Sequence, residues 1–190
     1  MDPVLITLLV IVALIVIYTI FIYNHLVRLK HNVSRAFANI DVLLKQRHDE
    51  LPKLVETCKQ HMGYEQKTLE AVMKARSAVA SASDRGDIKA LGQAESQLRL
   101  GLGNLFAVAE DYPELTASES FMHLHSRISG LESSIADRRE FYNESVNLYN
   151  IRIEQFPDII VARRLGFTGA TLLEFTEAEK ADVDMKSLFS

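Results

Sequence analysis

Residues 4–23, VLITLLVIVALIVIYTIFIY, form a run of 20 positions without a charge. A helix of that length, rising about 1.5 Å per residue, matches the roughly 30 Å hydrocarbon core of a bilayer. The chain opens Met-Asp-Pro rather than on a basic stretch, and Tyr23-Asn24-His25 offers no Ala-x-Ala cleavage site. Those features, with the length of the run, read as an uncleaved transmembrane anchor rather than a signal peptide. A core helix would be shorter and would sit oddly before a charged segment.

Beyond the anchor, apolar positions recur every three or four residues. Val33, Phe37, Ile40, Leu44, Leu51, Leu54, Cys58, Met62, Leu69, Val72 and Val79 continue one stripe, which predicts one long amphipathic helix or two collinear ones. Pro52 falls inside it and removes a backbone donor, but the phase holds from Leu51 into Leu54, so a kink is predicted there rather than a turn. The first clear stop is residues 83–87, SDRGD, with Gly86 suited to a left-handed helix end and Asp87 to capping the next start.

A second helix is predicted over 88–111, with Leu91, Leu98, Leu102, Leu105, Phe106 and Ala109 turned inward. Gly101 and Gly103 read as sites of close helix approach; no strand-to-helix turn surrounds them to make a phosphate loop. Tyr112-Pro113 ends this helix, and Thr116-Ala117-Ser118-Glu119 has the form of a capping box. The last stripe comprises Phe121, Leu124, Ile128, Leu131, Ile135, Arg138, Tyr142, Tyr149, Ile153 and Phe156, closed by Pro157.

The expectation is an all-α fold, an N-terminal transmembrane helix followed by a long antiparallel three- to four-helix bundle, its long helices running up, down and up. It divides the chain into an anchor over 1–23, a bundle over 24–156 and a short C-terminal segment over 157–190, whose acidic tail is expected to be mobile. With only 8 Gly, 4 Pro and no period-2 alternation, no sheet is expected.

Charge adds orientation. Asp2 is the lone charged side chain before the run, while Arg28, Lys30 and Arg35 follow it. By the positive-inside rule, the N-terminus is expected outside and the body in the cytoplasm. A formal net charge of −4 leaves no electrostatic footprint for nucleic acid. The single cysteine, Cys58, cannot form an internal disulfide.

Candidate chemistry is thin. His61 with Glu65 and Cys58 with His61 are at helical ligand spacing, but nothing completes a metal site. His123 and His125 are two apart and point to different sides of a helix. Cys58 lies within an apolar stripe, where a thiol is usually inert. The expectation is therefore no enzyme, no catalytic residue, no cofactor-binding residue, no metal ligand and no cofactor. Arg47, Glu65, Arg76 and Arg138, in phase with the core, are expected to meet carboxylates across the bundle and set its register. A partner-binding groove is the alternative.

Several blocks resemble the LemA family of bacterial membrane proteins: YNHLVRL at 23–29, FANIDVLLKQRHDELPKLVET at 37–57, LFAVAEDYPEL at 105–115, and the stretch from Tyr142-Asn143 to Phe156-Pro157. The resemblance runs from the anchor to about Phe175. It implies a membrane helix followed by a helical bundle, with no catalytic residues to carry over. It also implies relatives associated with membrane-embedded metalloproteases of the HtpX type, and a branch that takes part in magnetosome membrane formation.

The functional expectation is a scaffold that self-assembles and organises or remodels the bilayer, with lipid and further copies of the chain as partners. An adaptor for a membrane protease or a signalling complex is the alternative.

Overall fold

The computed structural model describes residues 2–63 and 65–174. Among these there are helices and no strands. The predicted acidic tail lies outside the described residues.

The first helix, α1 (Pro3–Lys59), runs 57 residues without interruption from the apolar stretch into the amphipathic one, and Pro52 does not break it. The chain stops instead at residues 60–65 and reverses into α2 (Gln66–Asp84). Two contacts prove the reversal: Ser83 Oγ donates to Asp41 Oδ1 at 2.8 Å, and Arg76 Nε donates to the His48 carbonyl at 2.9 Å. Moving seven residues forward on one helix moves seven back on the other, so the two are antiparallel. The collinear reading of 33–79 is thus wrong. Both arms of a hairpin bury an apolar face, and the stripe passes through the turn without a visible change of phase.

The second turn forms as expected. Gly86 has φ +64°, the Asp87 amide donates to the Ala82 carbonyl at 3.1 Å, and the Asp87 carboxylate accepts from the Ala90 amide at 3.0 Å. This launches α3 (Ile88–Ala109). A Cβ on Gly101 would stand 3.5 Å from a Val72 methyl and 3.8 Å from Val72 Cα, so α2 and α3 do approach closely there. Gly103 is different: nothing lies within 4 Å of its Cβ position, and it faces outward.

After Tyr112 comes a single turn, α4 (Pro113–Thr116), and then α5 (Glu119–Glu154). The capping box does not form. Thr116 belongs to α4, and its hydroxyl donates back to the Pro113 carbonyl at 3.1 Å. The last helix, α6 (Asp158–Arg164), occupies a stretch where sequence showed no element. Phe156, expected in the core, is 81% exposed because α5 ends at Glu154.

The chain forms two compact units, and α1 and α5 contribute to both. One comprises residues 1–38 and 140–171. Its core joins Ile22 and Leu26 of α1, Tyr149 and Ile153 of α5, and Val161 and Ala162 of α6. The Tyr23 ring meets Phe167 edge-on at 5.9 Å, and Phe37 meets Tyr142 at the same separation. Asn150 clamps the chain beyond α6: Nδ2 donates to the Ala170 carbonyl at 2.9 Å and Oδ1 accepts from the Ala170 amide at 2.8 Å. Tyr142 and Tyr149 hydroxyls donate to the carbonyls of Thr171 and Thr168.

Among the described residues, the other unit comprises 39–139 and 172–174. Here four helical segments pack together, with Leu44, Leu51, Leu54, Cys58, Leu69, Val72, Leu98, Leu105, Ile128 and Ile135 buried. Leu173 is buried as well, and its segment passes over Gly92, where a Cβ would come within 2.9 Å of the Glu174 carbonyl.

Candidate functional site

The polar residues on the stripes divide into three outcomes. Arg47 is 1% exposed and forms ion pairs with Glu95 of α3 and Glu132 of α5, as the register reading expected. Burial alone would lower the guanidinium pKa, but the two carboxylates outweigh it and hold it above its ordinary value. Burial pushes Glu95 above its ordinary value, with Arg47 pulling the other way. A charge buried this deeply is retained only with partners. Around it, Arg127 Nε pairs with Glu50 at 2.9 Å.

Among the described residues, Arg76 forms no ion pair with a carboxylate. Proline at position 52 has no amide hydrogen, so the carbonyl four residues earlier in α1, that of His48, lacks its helical donor. Arg76 Nε supplies one at 2.9 Å. The helix continues through Pro52, with the neighbouring helix supplying a donor to the carbonyl that the proline leaves without one.

Arg138 is exposed, and Arg139 takes the buried place one residue on, in step with Ile135. Glu65 lies at the start of α2, half-buried, not on a continuing core stripe. Glu95 and Glu132 were not singled out from sequence. Glu95 had a signal: it falls between Leu91 and Leu98 at core spacing, four residues after the first and three before the second.

Nothing among the described residues assembles catalytic geometry. They contain no group of three or more His, Cys, Asp or Glu able to hold a metal ion. The turn at 60–65 removes the helical spacing between Cys58, His61 and Glu65. Cys58 is fully buried, and burial pushes its thiol up to about 11, so no thiolate forms near neutral pH. His125 packs against the Phe106 ring at 4.3 Å instead of facing a ligand. A cavity of about 320 Å³ at the α1–α2 turn is lined by Val55, Met62, Leu69 and Met73 together with Lys59, Gln66 and Glu70, the last two hydrogen-bonded to each other.

The exposed surface is informative in the first unit. Residues 3–21 of α1 are exposed and, apart from Thr7 and Thr19, apolar, and the helix is long and apolar enough to cross a membrane. At Ile22 the same helix becomes buried in the core of the unit. A run of exposed apolar side chains this long suits a lipid environment and fits a membrane-associated helical protein.

The chain is 26% identical over 190 aligned positions to the magnetosome proteins MamQ 1 and MamQ 2 of Paramagnetospirillum magneticum, covering 88% of this chain and 70% of each relative. It is also 26% identical to the protein LemA of Metamycoplasma hominis, over 87% of this chain and 74% of that one. A model of the LemA family matches residues 36–186, most of the body beyond the anchor, and the chain belongs to that family.

Proposed function

We propose that the protein is a non-enzymatic membrane scaffold that self-assembles side by side in a bacterial inner membrane and organises or remodels it. In this reading the N-terminus is outside and the body is cytoplasmic. The observation that carries it is an outward stripe on α5 in the anchored unit: Phe141, Leu148 and Ile151 are each 51–54% exposed, although the inward face of the same helix is already fully used. Their spacing puts them within one narrow arc of the helix. Because the anchor runs without a break into this unit, membrane-bound copies share one orientation and meet flank to flank at raised effective concentration. The likeness to two magnetosome proteins supports a role at a membrane.

The test is imaging of the full-length protein in mild detergent and in liposomes, beside a variant carrying Phe141→Ser, Leu148→Ser and Ile151→Ser. Closed rings, stacked discs or deformed vesicles that the variant loses support the scaffold. Monomers at every concentration refute it. In that case the adaptor reading, a membrane metalloprotease or signalling complex as partner, becomes the one to pursue by crosslinking.

A further inference from the structure

The short helix α6 is used by the core on one side only. Val161 and Ala162 pack with Ile22 and Leu26, the end of the apolar run and the turn after it. Phe167 sits against Tyr23. These contacts set the height of residues 156–167, which stand beside the point where the span leaves the bilayer.

The opposite side is apolar and basic. Phe156 is 81% exposed, Ile160 61% and Leu165 52%, and Arg163 and Arg164 are exposed with them. Arg28 and Lys30, just beyond the span on α1, are exposed too. The segment has a single acid, Asp158, which is buried and paired with Arg152. Among the described residues, the outward face of 156–165 therefore presents apolar groups and cations without a carboxylate, the nearest exposed acid in sequence being Glu154 at the end of α5.

Such a face matches the boundary between headgroups and acyl chains, where rings and branched chains enter the apolar layer and arginines meet lipid phosphates. We propose that residues 156–165 form a second membrane contact, a foot resting on the anionic headgroups of the leaflet from which the span emerges. Continuity with the span identifies the occupant: at this height the surface faces lipid before it can face a soluble partner. The proposal rests on membrane anchoring and is independent of self-assembly.

The chain contains no Trp, so one introduced residue reports only on its own site. Full-length protein carrying Phe156→Trp is reconstituted into phosphatidylcholine liposomes, with or without phosphatidylglycerol, that contain lipids brominated near the headgroup end of the acyl chain. Quenching is expected to be several-fold stronger than for Phe141→Trp, whose site lies about four turns back on α5. It is expected to be stronger with the anionic lipid, and to fall when Arg163→Glu and Arg164→Glu are added. Val12→Trp, near the middle of the span and read with lipids brominated near the end of the acyl chain, separates the two ways of failing. Quenching at position 12 without quenching at 156 overturns the foot and leaves the anchor standing. Quenching at neither position overturns both. Shielding at 156 that grows with the protein-to-lipid ratio identifies a second copy as the occupant, which also overturns the lipid contact.

Discussion

Replacing Arg76 with Met tests whether the bond from α2 to the His48 carbonyl is what lets α1 pass through Pro52. The substitution keeps most of the side chain's volume and leaves that carbonyl, half-buried and without a helical donor, unsatisfied. A lost hydrogen bond from a charged donor, with the acceptor left unpaired, costs about 1–3 kcal/mol. In a chain of this size that corresponds to a melting temperature lower by roughly 2–4 °C per kcal/mol. The decisive arm is Pro52→Ala, which restores the amide donor. In that background Arg76→Met is expected to cost less by about 1–2 kcal/mol, a coupling measurable by thermal or denaturant unfolding of the four proteins in detergent. Equal costs in both backgrounds would refute the repair and leave Arg76 with a packing role. A second readout is His48, whose pKa is held below 6.5 by burial first and by Arg76 second. A depressed histidine contributes stability that is present above 6.5 and fades as pH falls through its lowered value. Arg76→Met is expected to raise the His48 titration midpoint and to flatten that loss.

Arg47→Met removes the cation hydrogen-bonded to Glu95 in the core, leaving it only the more distant pull of Arg139, and is expected to destabilise by about 3–5 kcal/mol. Glu95 already lies above its ordinary value through burial, so protonation favours the folded form and the deficit should shrink as pH is lowered towards 4.5. A pH-independent deficit that Glu95→Gln does not relieve would count against this account. Gly92→Ala forces a methyl to within 2.9 Å of the Glu174 carbonyl and should cost about 1–3 kcal/mol or lift the segment; unchanged amide exchange at Leu173 contradicts it. Gly103→Ala meets nothing within 4 Å on an exposed helical position, and is expected to stabilise by about 0.5–1 kcal/mol; a lower melting temperature would show a hidden contact. Cys58, buried and pushed up to about 11, should resist maleimide in the native protein at pH 8 and react once unfolded. Rapid native labelling rules out the burial described.

The stripe positions were legible because a 3.6-residue period reports burial directly, and most of the residues it marked are in the core. Connectivity is a different quantity. Burial patterns on the two arms of a hairpin can join in phase, so residues 33–79 read as one helix or two collinear ones although Gly63 lies in a reversal. Arg138 was chosen over Arg139 because a strict heptad drifts from 3.6 over many turns. The role of Arg76 was beyond any local reading. Its partner is a backbone group orphaned by a proline 24 positions away in sequence, and only the antiparallel packing of α1 on α2 brings them together.

The anchored unit is also discontinuous in the chain, with the other unit lying between its two parts. During synthesis, Ile22 and Leu26 leave the ribosome well before Tyr149 and Ile153, their partners in the core. At the usual elongation rate of about 5–20 residues per second, that gap lasts on the order of ten seconds. Throughout it the span can already occupy the bilayer while the apolar face just beyond it stands uncovered. The nascent chain thus has a window in which a chaperone, the insertion machinery or a neighbouring nascent copy can reach a surface that the finished protein hides.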